Sequence, residues 1–102
     1  MTAPRFDELV HQPVRLKLMA ALEAEPGRAA LDFARLKAIS GATDGNLGAH
    51  LGTLEGAGYV GVVKEPAGKR FRTLVAITPV GRAAFRGHLA FLRDLLDQAG
   101  AP

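Results

Sequence analysis

Leu47, Leu51 and Leu54 recur at i, i+4 and i+7 within TDGNLGAHLGTLEGAGYV, residues 43–60, and so lie along one side of a helix. The opposite side carries Gly45, Gly48, Ala49, Gly52 and Gly56 and is nearly bare. Each glycine in a helix interior costs about 0.5–1 kcal/mol relative to alanine. This helix is therefore weak by itself and must be held by packing its leucines inward, which leaves the smooth side free to face a partner.

The ends of the helix are marked. Thr43 can accept a backbone N–H as a cap, Asp44 places a negative charge in the first turn where the helix dipole favours it, and Gly58 suits a left-handed stop after Ala57. An extended run from Tyr59 to Glu65 follows, then a turn signal at Pro66, Ala67 and Gly68. A second run from Phe71 to Ile77 alternates Arg72, Leu74 and Ala76 with Phe71, Thr73, Val75 and Ile77, the period of a strand with one covered face. The two runs predict a hairpin with Lys69 and Arg70 near its tip.

Upstream, residues 31–40 place Phe33, Leu36 and Ile39 at helical spacing, with Asp32 available as a cap. Only Gly41 and Ala42 separate this helix from Thr43, so the two must cross steeply, as in a helix-turn-helix. The predicted fold is mainly α with a small β-hairpin: a winged helix-turn-helix with a three-helix core, a wing and a C-terminal dimerisation helix over 79–99.

The order of elements, and in particular Asn46-Leu47 with His50-Leu51, Leu54-Glu55 with Gly58-Tyr59-Val60, and Thr78-Pro79 with Gly81-Arg82, resembles the short winged-helix transcriptional regulators of MarR-like and ArsR-like type. The similarity runs from about Phe6 to the last helix. It implies a partner, double-stranded DNA, with the second helix of the motif in the major groove and the wing along the sugar-phosphate backbone.

On that reading the small residues Gly45, Gly48 and Ala49 let the helix backbone approach DNA closely, and Thr43, Asn46, His50 and Thr53 stand at the margins for hydrogen bonds. Asp44 is a cap or a cytosine contact rather than a neighbour of phosphate. His50 reads equally as a boundary residue with a satisfied side chain, and the glycines as drift on an unconstrained surface. With few long side chains on the face, base discrimination should be modest, with a larger share from backbone contact and DNA shape.

The net charge of +3 is mild but uneven. From Lys64 to Arg86 six basic residues stand against the single acid Glu65, which puts the excess on the wing and its exit. A basic run is often only a solvated face. Beside a recognition helix, Lys64, Lys69, Arg70 and Arg72 are the residues expected to hold the DNA backbone.

Two helices read as apolar on more than one side. Between Pro13 and Ala24, Val14, Leu18, Ala21 and Leu22 form one side, while Leu16, Met19 and Ala20 form another. In the last helix Phe85, Leu89, Leu92 and Leu96 form a seam flanked by His88, Phe91 and Leu95, an arc wider than the stripe of about 100° that one core needs. The expected interface of a twofold homodimer is therefore Leu16, Met19, Phe85, Leu89, Leu92 and Leu96. The alternative is that these helices only cap a monomer's core.

A chain of 102 residues is expected to be one domain, spanning 1–102, so that any effector, whose presence and identity the sequence leaves open, would bind within the fold or at a subunit contact. No apolar run of about 18 residues and no leader pattern is seen, so no membrane association is expected and the compartment is expected to be the cytoplasm. With no cysteine, and with His11, His50 and His88 on different elements, neither a catalytic constellation, a metal site nor a cofactor is expected. A winged-helix module that binds protein through the same surface is the alternative function.

Overall fold

The computed structural model describes residues 2–100. Its elements are α1 (Pro13–Ala24), a 3-10 turn (Pro26–Arg28), β1 (Leu31–Asp32), α2 (Phe33–Ser40), α3 (Asp44–Gly56), β2 (Val60–Ala67), β3 (Arg70–Ile77) and α4 (Pro79–Gly100).

Local chemistry sets most of these boundaries. The Gln12 side chain accepts from Arg15 N–H at 2.9 Å and Pro13 occupies the first turn of α1, where its missing N–H costs nothing. Asp32 accepts from Arg35 N–H at 2.8 Å to start α2, and Gly41, with φ 70°, ends it. Thr43 caps α3 through Asn46 N–H at 3.2 Å. At the other end Gly58, with φ 78°, donates to Glu55 C=O and Tyr59 N–H to Leu54 C=O, both at 2.9 Å, the paired bonds of a Schellman stop.

Helix α2 begins at Phe33, directly after its expected cap Asp32. A capping Asp32 must hold extended backbone, φ −82° and ψ 165°, and that conformation lets Leu31 and Asp32 pair with Val75 and Leu74 as a short third strand. The sheet is antiparallel in the order β1-β3-β2. The hairpin strands run further than the turn signal suggests: Ala67 pairs with Arg70 around Gly68 and Lys69, with Gly68 at φ 65° in the first central position of a two-residue turn. Pro66 is tolerated because β2 is an edge strand.

The core joins Leu18, Met19 and Leu22 of α1, Leu36 of α2, Leu47, Leu51 and Leu54 of α3, the strand residues Val60, Val75 and Ile77, Phe85 of α4, and Val10 from the segment before α1. Met19 and Phe85 were expected at a subunit contact, and this is corrected: they are 0% and 4% exposed and belong to the chain's own core. Helix α1 packs against α2, α3, α4 and β3, which covers Leu18, Met19 and Leu22 from within and leaves Leu16 half-buried and Ala20 exposed. Leu16 and Leu89 are half-buried against the same core, whereas Leu95 and Leu96 on the distal part of α4 are 47% and 70% exposed.

Helix α4 is joined tightly to the end of α3. Thr78 donates its backbone N–H to Tyr59 C=O at 3.1 Å and its hydroxyl to Gly58 C=O at 2.5 Å, while the same hydroxyl accepts Gly81 N–H at 3.0 Å. This contact fixes the root of the hairpin relative to α4.

Candidate nucleic-acid interface

The leucine side of α3 is inside: Leu47 and Leu54 are fully buried and Leu51 nearly so. The opposite face, Gly45, Gly48, Ala49, Gly52 and Gly56, is exposed along its whole length. A methyl group built at any of these four glycines meets nothing within 4 Å. The chain's own packing therefore does not require them, although together they cost the helix roughly 2–4 kcal/mol.

The margins of this face are occupied as follows. Thr43, Asp44, Asn46 and Thr53 are exposed; Thr53 donates its hydroxyl back to Ala49 C=O at 3.1 Å, and Asp44 forms an ion pair with Lys37 of α2 at 2.8 Å. That pair is exposed and adds little stability, but it offsets a negative charge at the start of α3. His50 is half-buried, and its Nδ1 lies 2.9 Å from Arg15 Nη1. Arginine can only donate, so His50 Nδ1 is the acceptor and its remaining N–H is on Nε2.

Arg15 is a cation that sequence reasoning did not place at this site. Its guanidinium also donates Nε–H to Leu9 C=O, which bridges α3 to the segment before α1. Nothing in the one-dimensional pattern marks it, because the contact joins residues 35 apart.

The four wing cations are divided between the two faces of the hairpin and its tip. Strand alternation puts Lys64 on the face shared with Phe71, Thr73 and Val75, and Arg70 and Arg72 on the other. Glu65 pairs directly with Arg72 in the register and binds its guanidinium at 3.2 Å, so Arg72 is already partnered. Lys69 and Arg70 stand at the exposed tip.

The tip-side half of β3 adjoins the start of α3. A groove is lined by Phe33 and Lys37 of α2, Asp44 of α3, and Phe71, Arg72 and Thr73 of β3. Phe71, 70% exposed beside it, is a further surface residue that the sequence reading took only as part of a strand.

Behind α3, residues 2–12 cross α4 as a strap. Arg5 N–H donates to Gly87 C=O at 2.9 Å, and Asp7 N–H to His88 Nδ1 at 3.0 Å. Asp7 Oδ1 accepts Leu9 and Val10 N–H, and Asp7 Oδ2 accepts the Tyr59 hydroxyl. That hydrogen bond, more than burial, pushes the Tyr59 phenol up to about 12. His11 and His88, apart in sequence and read there as unrelated, meet at 3.0 Å between Nδ1 and Nε2.

Comparison with known proteins gives a consistent result. Residues 14–96 match the family model described as winged helix DNA-binding domain. An uncharacterized protein of Methanocaldococcus jannaschii is 35% identical over 82 residues, covering 80% of this chain and 86% of its own. Among solved structures, a transcriptional regulator homologue from Pyrococcus horikoshii OT3 superposes with a TM-score of 0.81 at 29% identity, over 93% of this chain and 91% of that one. A MarR-family transcriptional regulator from Silicibacter pomeroyi shares the fold, with a TM-score of 0.66 at 23% identity over 89% of this chain and 58% of that one.

Proposed function

Because the chain belongs to the winged helix DNA-binding domain family, whose fold binds DNA rather than catalysing a reaction, we propose that it is a homodimeric transcriptional regulator that sets the glycine face of α3 in the major groove of duplex DNA. The observation that carries this reading is the open glycine face itself. The fold gives up helix stability along that face and gains no internal contact there, which is the composition that close approach to an external surface requires. The Pyrococcus horikoshii relative, described as a transcriptional regulator homologue, supports the regulatory role.

Lys69 and Arg70 supply phosphate contacts from the wing tip, and Lys64 a further one from the face turned toward the helices. Arg72 contributes less, because Glu65 competes for it. Asn46, His50 Nε2–H and the free lone pairs of Thr43 and Thr53 are the groups available at the margins of α3 for base edges or phosphates. Occupying a promoter in this way excludes other proteins from it, so repression by occlusion is the proposed outcome.

The dimer contact is reduced to the residues that the monomer leaves open in whole or in part: exposed Leu96, with Leu95 beside it, half-buried Leu92, and Leu16 and Leu89 at the edge of the core. A Leu92→Glu/Leu96→Glu protein is expected to sediment as a monomer at micromolar concentration, with the parent as a dimer. A monomeric parent bound to a single half-site would remove the twofold arrangement. Among the described residues no helix is long and apolar enough to cross a membrane.

Affinity for duplex DNA measured at 50 and 200 mM salt tests the function as a whole. About six phosphate contacts per dimer predict a loss on the order of a thousandfold between the two conditions. Salt-insensitive binding, or none, would favour a winged-helix module that binds protein.

A further inference from the structure

The His11–His88 pair has a fixed direction of hydrogen bonding. An amide N–H can only donate, so the contact from Asp7 N–H at 3.0 Å requires His88 Nδ1 to be bare. Neutral His88 then carries its hydrogen on Nε2 and donates it to His11 Nδ1, 3.0 Å away, which leaves the His11 hydrogen on Nε2. The chain Asp7 to His88 to His11 is satisfied only when both rings are neutral.

A proton added to the pair has no place that keeps both contacts. On His11 Nδ1 it sets one N–H against the Nε2–H of His88. If His88 gives up that hydrogen and takes one at Nδ1, the new N–H opposes Asp7 N–H. The surroundings offer no other acceptor: His88 is fully buried, and Phe6 and Phe91 cover it with ring centroids at 5.1 and 6.5 Å.

We propose that this pair makes the strap a proton-released clamp: protonation detaches residues 5–11 from α4 and from Tyr59, and so loosens the junction that holds α3 and the wing. The mechanical link is on both sides of the strap. Asp7 accepts the Tyr59 hydroxyl at the end of α3, and Leu9 C=O holds Arg15, which in turn holds His50 on α3. The charged and titratable groups around the pair are Asp7 and Arg5 from the strap, Tyr59 from the junction, and Lys17 of α1, which lines a shallow pocket with His11. Arg15 and His50 lie one contact further out. Asp7 is the anion among them, and its two carboxylate oxygens are already committed to Leu9 and Val10 N–H and to Tyr59.

Burial, followed by the neighbouring His11, lowers the His88 pKa from its ordinary value of 6.5, and Asp7 opposes this only in part. The folded chain thus binds fewer protons than the unfolded one below about pH 6.5, so the clamp is complete above that pH and is lost as pH falls through the lowered folded value.

Imidazole and amide nitrogen NMR of the full chain between pH 7.5 and 4.5 tests this. At pH 7.5 His88 is expected as the neutral Nε2–H form. Below about pH 6.5 the amides of Arg5, Asp7 and His11 should move together toward unstructured shifts while those of Leu36 and Val75 stay in place. His88 charged at pH 7.5, strap amides unmoved at pH 5, or core amides moving with the strap would each overturn the clamp. His11→Gln and His88→Gln provide two independent variants without the titrating pair. The acid transition should disappear from both, and its persistence in both would assign it to another group.

The consequence for DNA rests on the function proposed above and is measured separately. Duplex affinity is expected to fall about tenfold from pH 7.5 to 5.5 in the parent but not in His11→Gln. Strap release with unchanged affinity would break the link to α3. No binding at any pH would sink the DNA reading while the NMR result on the clamp still stands.

Discussion

Replacing Gly81 by alanine is expected to lower the melting temperature by roughly 12–24 °C. A Cβ at this position would lie 2.0 Å from Tyr59 O, 2.7 Å from Tyr59 C and 2.8 Å from Tyr59 Cα. These are backbone atoms and cannot rotate aside. Tyr59 C=O is held by Thr78 N–H, and the Thr78 hydroxyl is held by Gly58 C=O and Gly81 N–H, so the clash spreads to the whole junction of α3, β2 and α4. Overpacking typically costs 1–3 kcal/mol and more where backbone must move, so a cost of about 3 kcal/mol is expected, at 4–8 °C for each kcal/mol in a chain of this size. Calorimetry decides it: a variant that melts within about 2 °C of the parent would show that helix α4 can slide away from Tyr59 at no cost.

Charge reversal at the wing tip, Lys69→Glu with Arg70→Glu, is expected to weaken duplex binding on the order of a hundredfold at 150 mM salt and to lower the log–log salt slope by about two for each wing. The tip is the right place for so large an effect because neither residue has an acidic partner in the ion pairs among the described residues. Arg72→Glu should do less to the slope, since Glu65 already occupies that guanidinium. The fold itself should be indifferent, as both tip residues are exposed. Equal salt slopes for the parent and the double variant would exclude the wing from the interface.

The helices and the hairpin could be read from the chain because their signals are local. The leucine period of α3, the caps Asp32 and Thr43 and the stop at Gly58 each act within a few residues of themselves. Strand β1 could not be read that way, since two residues carry no period and become a strand only by capping α2 beside β3. The strap was hidden for a related reason: its hold on the body consists of polar contacts such as Asp7 with His88, 81 positions apart.

The wing and the subunit contact show a second limit. Alternation along the wing was visible, but whether Arg72 meets an acid depends on cross-strand register, and the register depends on a two-residue turn at Gly68 and Lys69 rather than one at Pro66. Two apolar sides on a helix do not say which side the chain's own strands will cover. Met19 and Phe85 went inward, and the distal leucines of α4 did not.

Whether the bare side of α3 lies against DNA is decided by the duplex affinity of Gly48→Leu and Gly52→Leu. Leucine is a far better helix former than glycine and nothing in the chain stands within 4 Å of either added Cβ, so both variants should fold and melt at or above the parent temperature. These more stable proteins are expected to bind duplex DNA at least about tenfold more weakly, because a branched side chain now stands where backbone must approach the groove. Raised stability with undiminished affinity would contradict this and place the DNA elsewhere.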